Sequence, residues 1–189
     1  MKKLCVIILS LLLTGCGSAG AAIDSIQTQY GQIQTAQMEA KVVCHLENES
    51  RTYTLSCTCE ETGASTTVTA PEELKGITAS VTPDGLTVTY DGTSMSAGEL
   101  RDICPANCLP YLLAALSNGY LMEQGTEEWN GIRCYRLMLD TTAESGQKVV
   151  CTVWLNEETL IPQYAEFTQE EKVVLSAEML AFSCTLSES

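Results

Sequence analysis

The chain has 189 residues, 45% of them hydrophobic, with 24 acidic against 10 basic residues and a formal net charge of −14. That hydrophobic content suits one domain around a single core and excludes a disordered chain. The acidity disfavours nucleic acid and anionic lipid headgroups as partners, because both would be repelled, and its plainest use is to keep the domain soluble.

The chain opens with Lys2 and Lys3, an uncharged run over residues 4–13, and small residues before a cysteine. A basic start, a short apolar core and a small-residue cleavage site make an export signal. The run, roughly ten residues, is half the length of about 20 needed to span a bilayer. Leu13-Thr14-Gly15-Cys16 resembles the lipobox of bacterial lipoproteins. The resemblance implies cleavage before Cys16, a diacylglycerol thioether on its sulfur, and a mature chain held on the extracytoplasmic face of the cell membrane. The alternative is an ordinary secretory signal followed by a cysteine without that role. On the lipobox reading, residues 1–15 are the signal, 16–22 the lipidated cysteine with a small-residue tether, and 23–189 the domain. Two acyl chains hold firmly, since each buried methylene contributes about 0.8 kcal/mol and one chain alone is marginal.

From Ile23, the residues Ile23, Ile26, Tyr30 and Ile33 recur at three- and four-residue steps, the stripe of a helix over about 23–35. The period then drops to two. Met38, Ala40, Val42, Cys44 and Leu46 alternate with more polar neighbours, and after a polar turn at 48–51 so do Tyr53, Leu55, Cys57 and Cys59. Cys44, Cys57 and Cys59 therefore fall on the apolar face of one hairpin. Residues 65–70 form a Thr-rich strand, 71–76 a turn or short helical insert, and 77–82 and 86–90 a hairpin about Pro83-Asp84-Gly85. A less regular region runs to about Pro105. An almost wholly apolar helix follows over about 106–117, with Pro110 in its first turn and Asn118-Gly119 as its stop. Such a helix has to be covered. In the last third, Ile132, Cys134, Arg136 and Met138 share one face, and Val149, Cys151, Val153 and Leu155 share another. Residues 161–168 and 172–186 make a final hairpin. The sum is an α+β chain of about ten strands and two helices, an antiparallel meander with a sheet covered on one side.

Beyond Cys5 and Cys16 there are eight cysteines, an even number that reads first as disulfides in an exported domain. A symmetric hairpin about Thr142-Ala143 sets Cys134 opposite Cys151, within the roughly 5.5 Å between α-carbons that a bridge needs. Two reduced buried cysteines are the alternative. Cys44 can face Cys57 or Cys59, with one residue of register deciding which. Cys104 and Cys108 read as a bridge pinning the start of the second helix; their spacing is not that of a thioredoxin-like pair, so a thiol–disulfide enzyme ranks well behind. Zinc on the quartet Cys57, Cys59, Cys104 and Cys108 is the remaining option, since thiolates suit it, but the four lack the paired two-residue knuckles of such a site, and no cofactor motif is present. His45, the only histidine, lies on the polar face of its strand, and no nucleophile elbow accompanies it. The chain reads as a non-enzyme.

The order of elements, a leading helix, meander strands, an apolar helix mid-chain and long closing hairpins, resembles the superfamily of the lipoprotein carriers LolA and LolB. Three stretches carry the resemblance: residues 71–79 (Pro-Glu-Glu-Leu-Lys-Gly-Ile-Thr-Ala), 86–92, and 153–159 (Val-Trp-Leu-Asn-Glu-Glu-Thr) with Ile161-Pro162. It implies one strongly curved antiparallel sheet, a half-barrel, with the two helices over its concave face. It also implies a cavity for acyl chains, lined here by Ile26, Tyr30, Leu112, Leu116 and Trp154, although core packing is the commoner use of tryptophan in a sheet. The eight cysteines are outside the carrier pattern. Two functions follow: a tethered protein binding a lipid or other apolar ligand, or a scaffold or regulatory lipoprotein that binds another envelope protein. Replacing Cys16 with serine should abolish incorporation of labelled fatty acid and move the protein out of the membrane fraction; unchanged labelling would refute the lipobox reading.

Overall fold

The computed structural model describes residues 18–98, 102–142 and 148–187. Its elements are α1 (Ser18–Gly31), β1 (Ile33–His45), β2 (Ser50–Glu60), β3 (Gly63–Ala70), β4 (Thr78–Thr82), β5 (Gly85–Tyr90), β6 (Thr93–Gly98), α2 (Cys108–Asn118), β7 (Tyr120–Trp129), β8 (Ile132–Thr142), β9 (Lys148–Asn156), β10 (Pro162–Gln169) and β11 (Lys172–Leu186). All eleven strands form one open, curved antiparallel sheet in the order β6-β5-β4-β3-β2-β1-β11-β10-β9-β8-β7. The α+β half-barrel expected from the sequence is the fold, with eleven strands rather than about ten. The edge strands β6 and β7 carry the weakest alternation: every residue of β6 is exposed, and β7 is mostly so.

Each neighbouring pair but one is a sequential hairpin; the exception joins β1 to β11 at the centre of the sheet. The first and last strands thus meet, and the chain builds two wings outward from them. Because β6 and β7 stand at opposite edges, the segment between them has to cross the sheet. It does so on the concave side as α2.

Strand parity decides what α2 meets. Ala36, Met38, Ala40 and Val42 of β1 are buried, while Gln37, Glu39 and Lys41 between them are exposed. On β9, Val149, Cys151, Val153 and Leu155 turn to the same concave side, joined by Leu137 and Leu139 of β8, Phe167 of β10 and Leu175 of β11. Against them α2 seats Cys108, Leu109, Leu112, Ala115 and Leu116, all without exposed surface, and α1 adds Ile23, Ile26 and Tyr30. Each fully buried leucine of this set contributes about 1.5–3 kcal/mol by leaving water.

Both ends of α2 are held. The Cys108 amide donates to the Cys104 carbonyl (3.0 Å), and the Cys104 amide donates to Asn107 Oδ1 (2.7 Å). Helix α2 stops at Asn118, where the Gly119 amide donates to the Ala115 carbonyl (2.9 Å). A β-carbon on Gly119 would lie 2.5 Å from that carbonyl oxygen and 3.1 Å from the Leu139 side chain, so the helix end sits this close to β8 only with glycine there. Gln27 of α1 donates through Nε2 to the Gly119 carbonyl (2.7 Å) and ties the two helices together.

Helix α1 departs from the sequence reading at both ends. It begins at Ser18, inside the stretch read as tether, and ends at Gly31; Ile33, counted there on the helical stripe, opens β1. Gly31 is a poor helix former, and the next residues bury more as a strand, where the period-two face lies against the helices. Cys16 and the signal lie outside the described residues. Leu112→Ala should cost about 2–5 kcal/mol of stability, whereas Leu180→Ala, at a side chain already 53% exposed, should stay within about 0.5 kcal/mol; denaturant titration at constant slope distinguishes them.

Candidate functional site

Beneath the helices the concave face is filled by the protein's own side chains. Of the cavity residues expected from the sequence, Ile26, Leu112 and Leu116 are core, each at most 2% exposed. Tyr30 belongs to the same core, donates its hydroxyl proton to the Leu160 carbonyl (2.6 Å), and reaches the end of a cleft. Burial raises its pKa well beyond the ordinary tyrosine range.

Trp154 is not on this side at all. Its parity is opposite to Val153 and Leu155, and it pairs with Arg136 and Tyr164 on the convex face. There the Trp129 and Tyr164 rings stack at 4.0 Å, with Trp154 against both. Its indole N–H donates to Glu127 (3.0 Å), and the Arg136 guanidinium lies 5.7 Å from its ring centre. The alternation of β9 already carried that signal.

Open space lies beside α2 instead. A cleft of about 460 Å³ is lined by Tyr30, Ile33, Gln34, Leu113, Ala114, Ser117 and Cys59 among others. A second, of about 310 Å³, lies between Pro110 and Leu113 of α2 and Ala64, Val81 and Pro83 of the β3–β4 region. The two share Cys59, Glu60, Glu61 and Leu113, so they form one groove along the flank of α2, with two carboxylates at its rim. Gly63 shapes its floor. Its φ is 150°, and a β-carbon there would stand 2.4 Å from the Val81 carbonyl oxygen, so only glycine lets β3 start flush against β4.

The groove leads onto the concave face of the β3–β6 wing. By register, Val68, Ala79, Val81, Leu86, Val88 and Met95 share that side. Helical cover thins outward: Ala79 is 7% exposed, Val81, Leu86 and Val88 are partly exposed, and Met95 is 70% exposed.

All eight described cysteines are free thiols. The expected opposition of Cys134 and Cys151 does not form. The β8–β9 register pairs Cys134 with Asn156 and Cys151 with Leu139, which puts the two on opposite faces of the sheet. The β8–β9 register is shifted from that of a hairpin symmetric about Thr142-Ala143 by an odd number of residues, which reverses the face. Cys44 pairs with Arg51 rather than with Cys57 or Cys59, which stand opposite Met38 and Ala36. The tight turn closed by Leu46 and Glu49 sets that register.

Cys104 and Cys108 flank the start of α2 as thiols, both with pKa pushed up by burial, Cys108 also by Cys104 and Cys57 nearby. The quartet Cys57, Cys59, Cys104 and Cys108 does not gather round one point: among the described residues no three ligating side chains do. His45 is exposed, as its parity implied, and shares a hydrogen bond with Ser176 (3.2 Å). The sequence reading placed Cys57 and Cys59 on one face but missed their contact: the two sulfurs are 3.7 Å apart at the groove floor.

A single open antiparallel sheet, curved around two helices on its concave side, defines a LolA-like half-barrel. No family model matches the sequence, and no curated protein does. Solved structures share the fold at low identity. A putative outer membrane lipoprotein-sorting protein domain from Vibrio parahaemolyticus aligns with a TM-score of 0.51 at 10% identity, covering 89% of this chain and 93% of that one. A DUF1329 family protein from Desulfovibrio piger gives 0.51 at 13% identity, with 90% and 94% covered. An uncharacterized conserved protein from Thermus thermophilus gives 0.52 at 11%, with 91% and 90% covered. The likeness is one of fold.

Burial lifts the Cys151 thiol from 9.0 to about 12 and raises Cys104, Cys108 and Tyr30 as well. A raised thiol pKa means the folded state keeps a proton that the unfolded chain gives up. The associated stability is present below pH 9 and is lost as pH rises from there towards 12. The unfolding free energy should therefore fall steadily across that range, and Cys151→Ala should flatten the slope whatever its effect at neutral pH.

Proposed function

We propose that this protein is a membrane-tethered extracytoplasmic lipoprotein, a binder and not an enzyme, that takes an acyl chain or similar apolar group into the groove beside α2. The observation that carries this reading is the unequal cover of the concave face: full beneath the helices, partly bare across Val81, Leu86, Val88 and Met95, with the groove opening onto the bare part. Apolar surface left in water is worth about 25 cal/mol per Å² to whatever covers it. The groove has the size of ordinary small-molecule sites, which run about 300–1,000 Å³. Glu60 and Glu61 at the rim favour a ligand whose polar end is neutral or cationic. The anchor on Cys16 would keep the groove near a membrane, where such ligands are found.

The second reading, a scaffold for another envelope protein, draws on the two sheet edges. Strand β7 presents Tyr120 and Met122, 75% and 46% exposed, on an edge whose backbone can pair with an added strand. Titration with a fluorescent fatty acyl probe tests the first reading. Val81→Glu and Leu113→Glu should each weaken binding at least about tenfold, roughly 1.4 kcal/mol, while Tyr120→Ser leaves it unchanged. Absence of probe binding to the wild type, with a protein partner lost in Tyr120→Ser, would transfer the assignment to the scaffold.

A further inference from the structure

We propose that Cys57 and Cys59 are an exchange-active dithiol on the groove floor that accepts oxidising equivalents from a small-molecule disulfide and stores them as a Cys57–Cys59 bridge. The inference is independent of the acyl-binding reading. Successive residues of a strand alternate faces, so positions 57 and 59 stand side by side on the concave side of β2, and their sulfurs are 3.7 Å apart. They differ in access. Cys59 is partly exposed and lines both clefts, whereas Cys57 is 1% exposed behind it. Thr66, opposite Cys57 on β3, donates its hydroxyl to the Cys57 sulfur (3.4 Å) and is itself buried.

The proton arrangement supports exchange. The two sulfurs share a hydrogen bond that favours a thiolate on Cys57, and the Thr66 hydroxyl donates to the same sulfur. The pair therefore releases its first proton more readily than an isolated buried thiol such as Cys108. The contact with Cys57 and burial keep the proton on Cys59 in the resting pair, and its transfer to the Cys57 sulfur across that 3.7 Å contact leaves the anion at the outer sulfur when a disulfide enters the groove.

In the first step the Cys59 thiolate attacks one sulfur of R–S–S–R; a Cys59–S–R bond forms, and RS⁻ leaves and takes up a proton. In the second, the Cys57 thiolate attacks the Cys59 sulfur, the Cys57–Cys59 bond forms, and the second RS⁻ leaves. Two cysteine thiols are oxidised, and one external disulfide is reduced to two thiols. A bridge across one residue of an extended strand is strained, and strained bridges exchange where relaxed ones persist.

The test uses the whole protein in mixtures of reduced and oxidised glutathione, followed by acid quenching, alkylation and trypsin. Residues 52–75, between Arg51 and Lys75, form one tryptic peptide whose only cysteines are these two. The expected result is a peptide two hydrogens lighter than its free dithiol form, growing with oxidised glutathione and lost again on reduction. In Cys57→Ser the mixed disulfide on Cys59 should accumulate, because nothing resolves it; in Cys59→Ser glutathione should not attach to Cys57. Full alkylation of both cysteines at every ratio would overturn the proposal. So would a bridge from either one to Cys44, Cys104 or Cys108.

Discussion

The structure depends on one crossing. Strands β6 and β7 occupy opposite edges of an open sheet, so the chain between them has to pass over a face, and it passes as an apolar helix across the concave one. That helix cannot stand in water, and the sheet cannot leave the apolar side of β1, β8, β9, β10 and β11 bare. Each solves the other's problem. The crossing determines which side of every strand is inside, brings α1 against α2, and holds the end of α2 so close to β8 that position 119 has to be glycine.

A crossing helix of eleven residues covers about 16 Å of sheet, and the sheet is far wider than that. Beneath α1 and α2 the space is packed with leucine, isoleucine and phenylalanine. Beyond them, the concave side of β3 to β6 keeps valine, leucine and methionine in partial contact with solvent. The groove marks the boundary between the two. A fold whose sheet is built to be roofed thus has a roof too small for it, and the uncovered part is the apolar surface on which the proposed function rests. The solved structures that share the fold do so at 10–13% identity, so ligand chemistry has to come from this chain's own residues.

The cysteines follow the same division between buried and open. Cys108 and Cys151 are sealed in the core, where desolvation keeps them protonated and inert. Cys134 is equally buried but on the convex side, near the aromatic stack. Cys57 and Cys59 stand at the boundary, one inside and one lining the groove. Thiols of one chain therefore differ in access for a reason of place: Cys108 is sealed beneath its own helix, and Cys59 is left partly uncovered beside it.

Much of this was legible in the chain itself. Apolar residues at every second position gave the strands, the unbroken apolar stretch gave α2, Asn118-Gly119 gave its end, and hairpin after hairpin implied one antiparallel sheet. These are local properties, fixed by backbone geometry within a few residues. What stayed hidden depended on distances along the chain that local patterns do not measure. An odd shift of the β8–β9 register put Cys134 on the opposite face from Cys151, and Trp154, which the resemblance assigned to a cavity, followed its parity to the convex side. Period two states that neighbours point opposite ways; it does not state which way is in, or which residues face across a hairpin. Those were decided only when α2 crossed the sheet and the turns set the registers, because burial of one face is a property of the whole sheet and not of any strand.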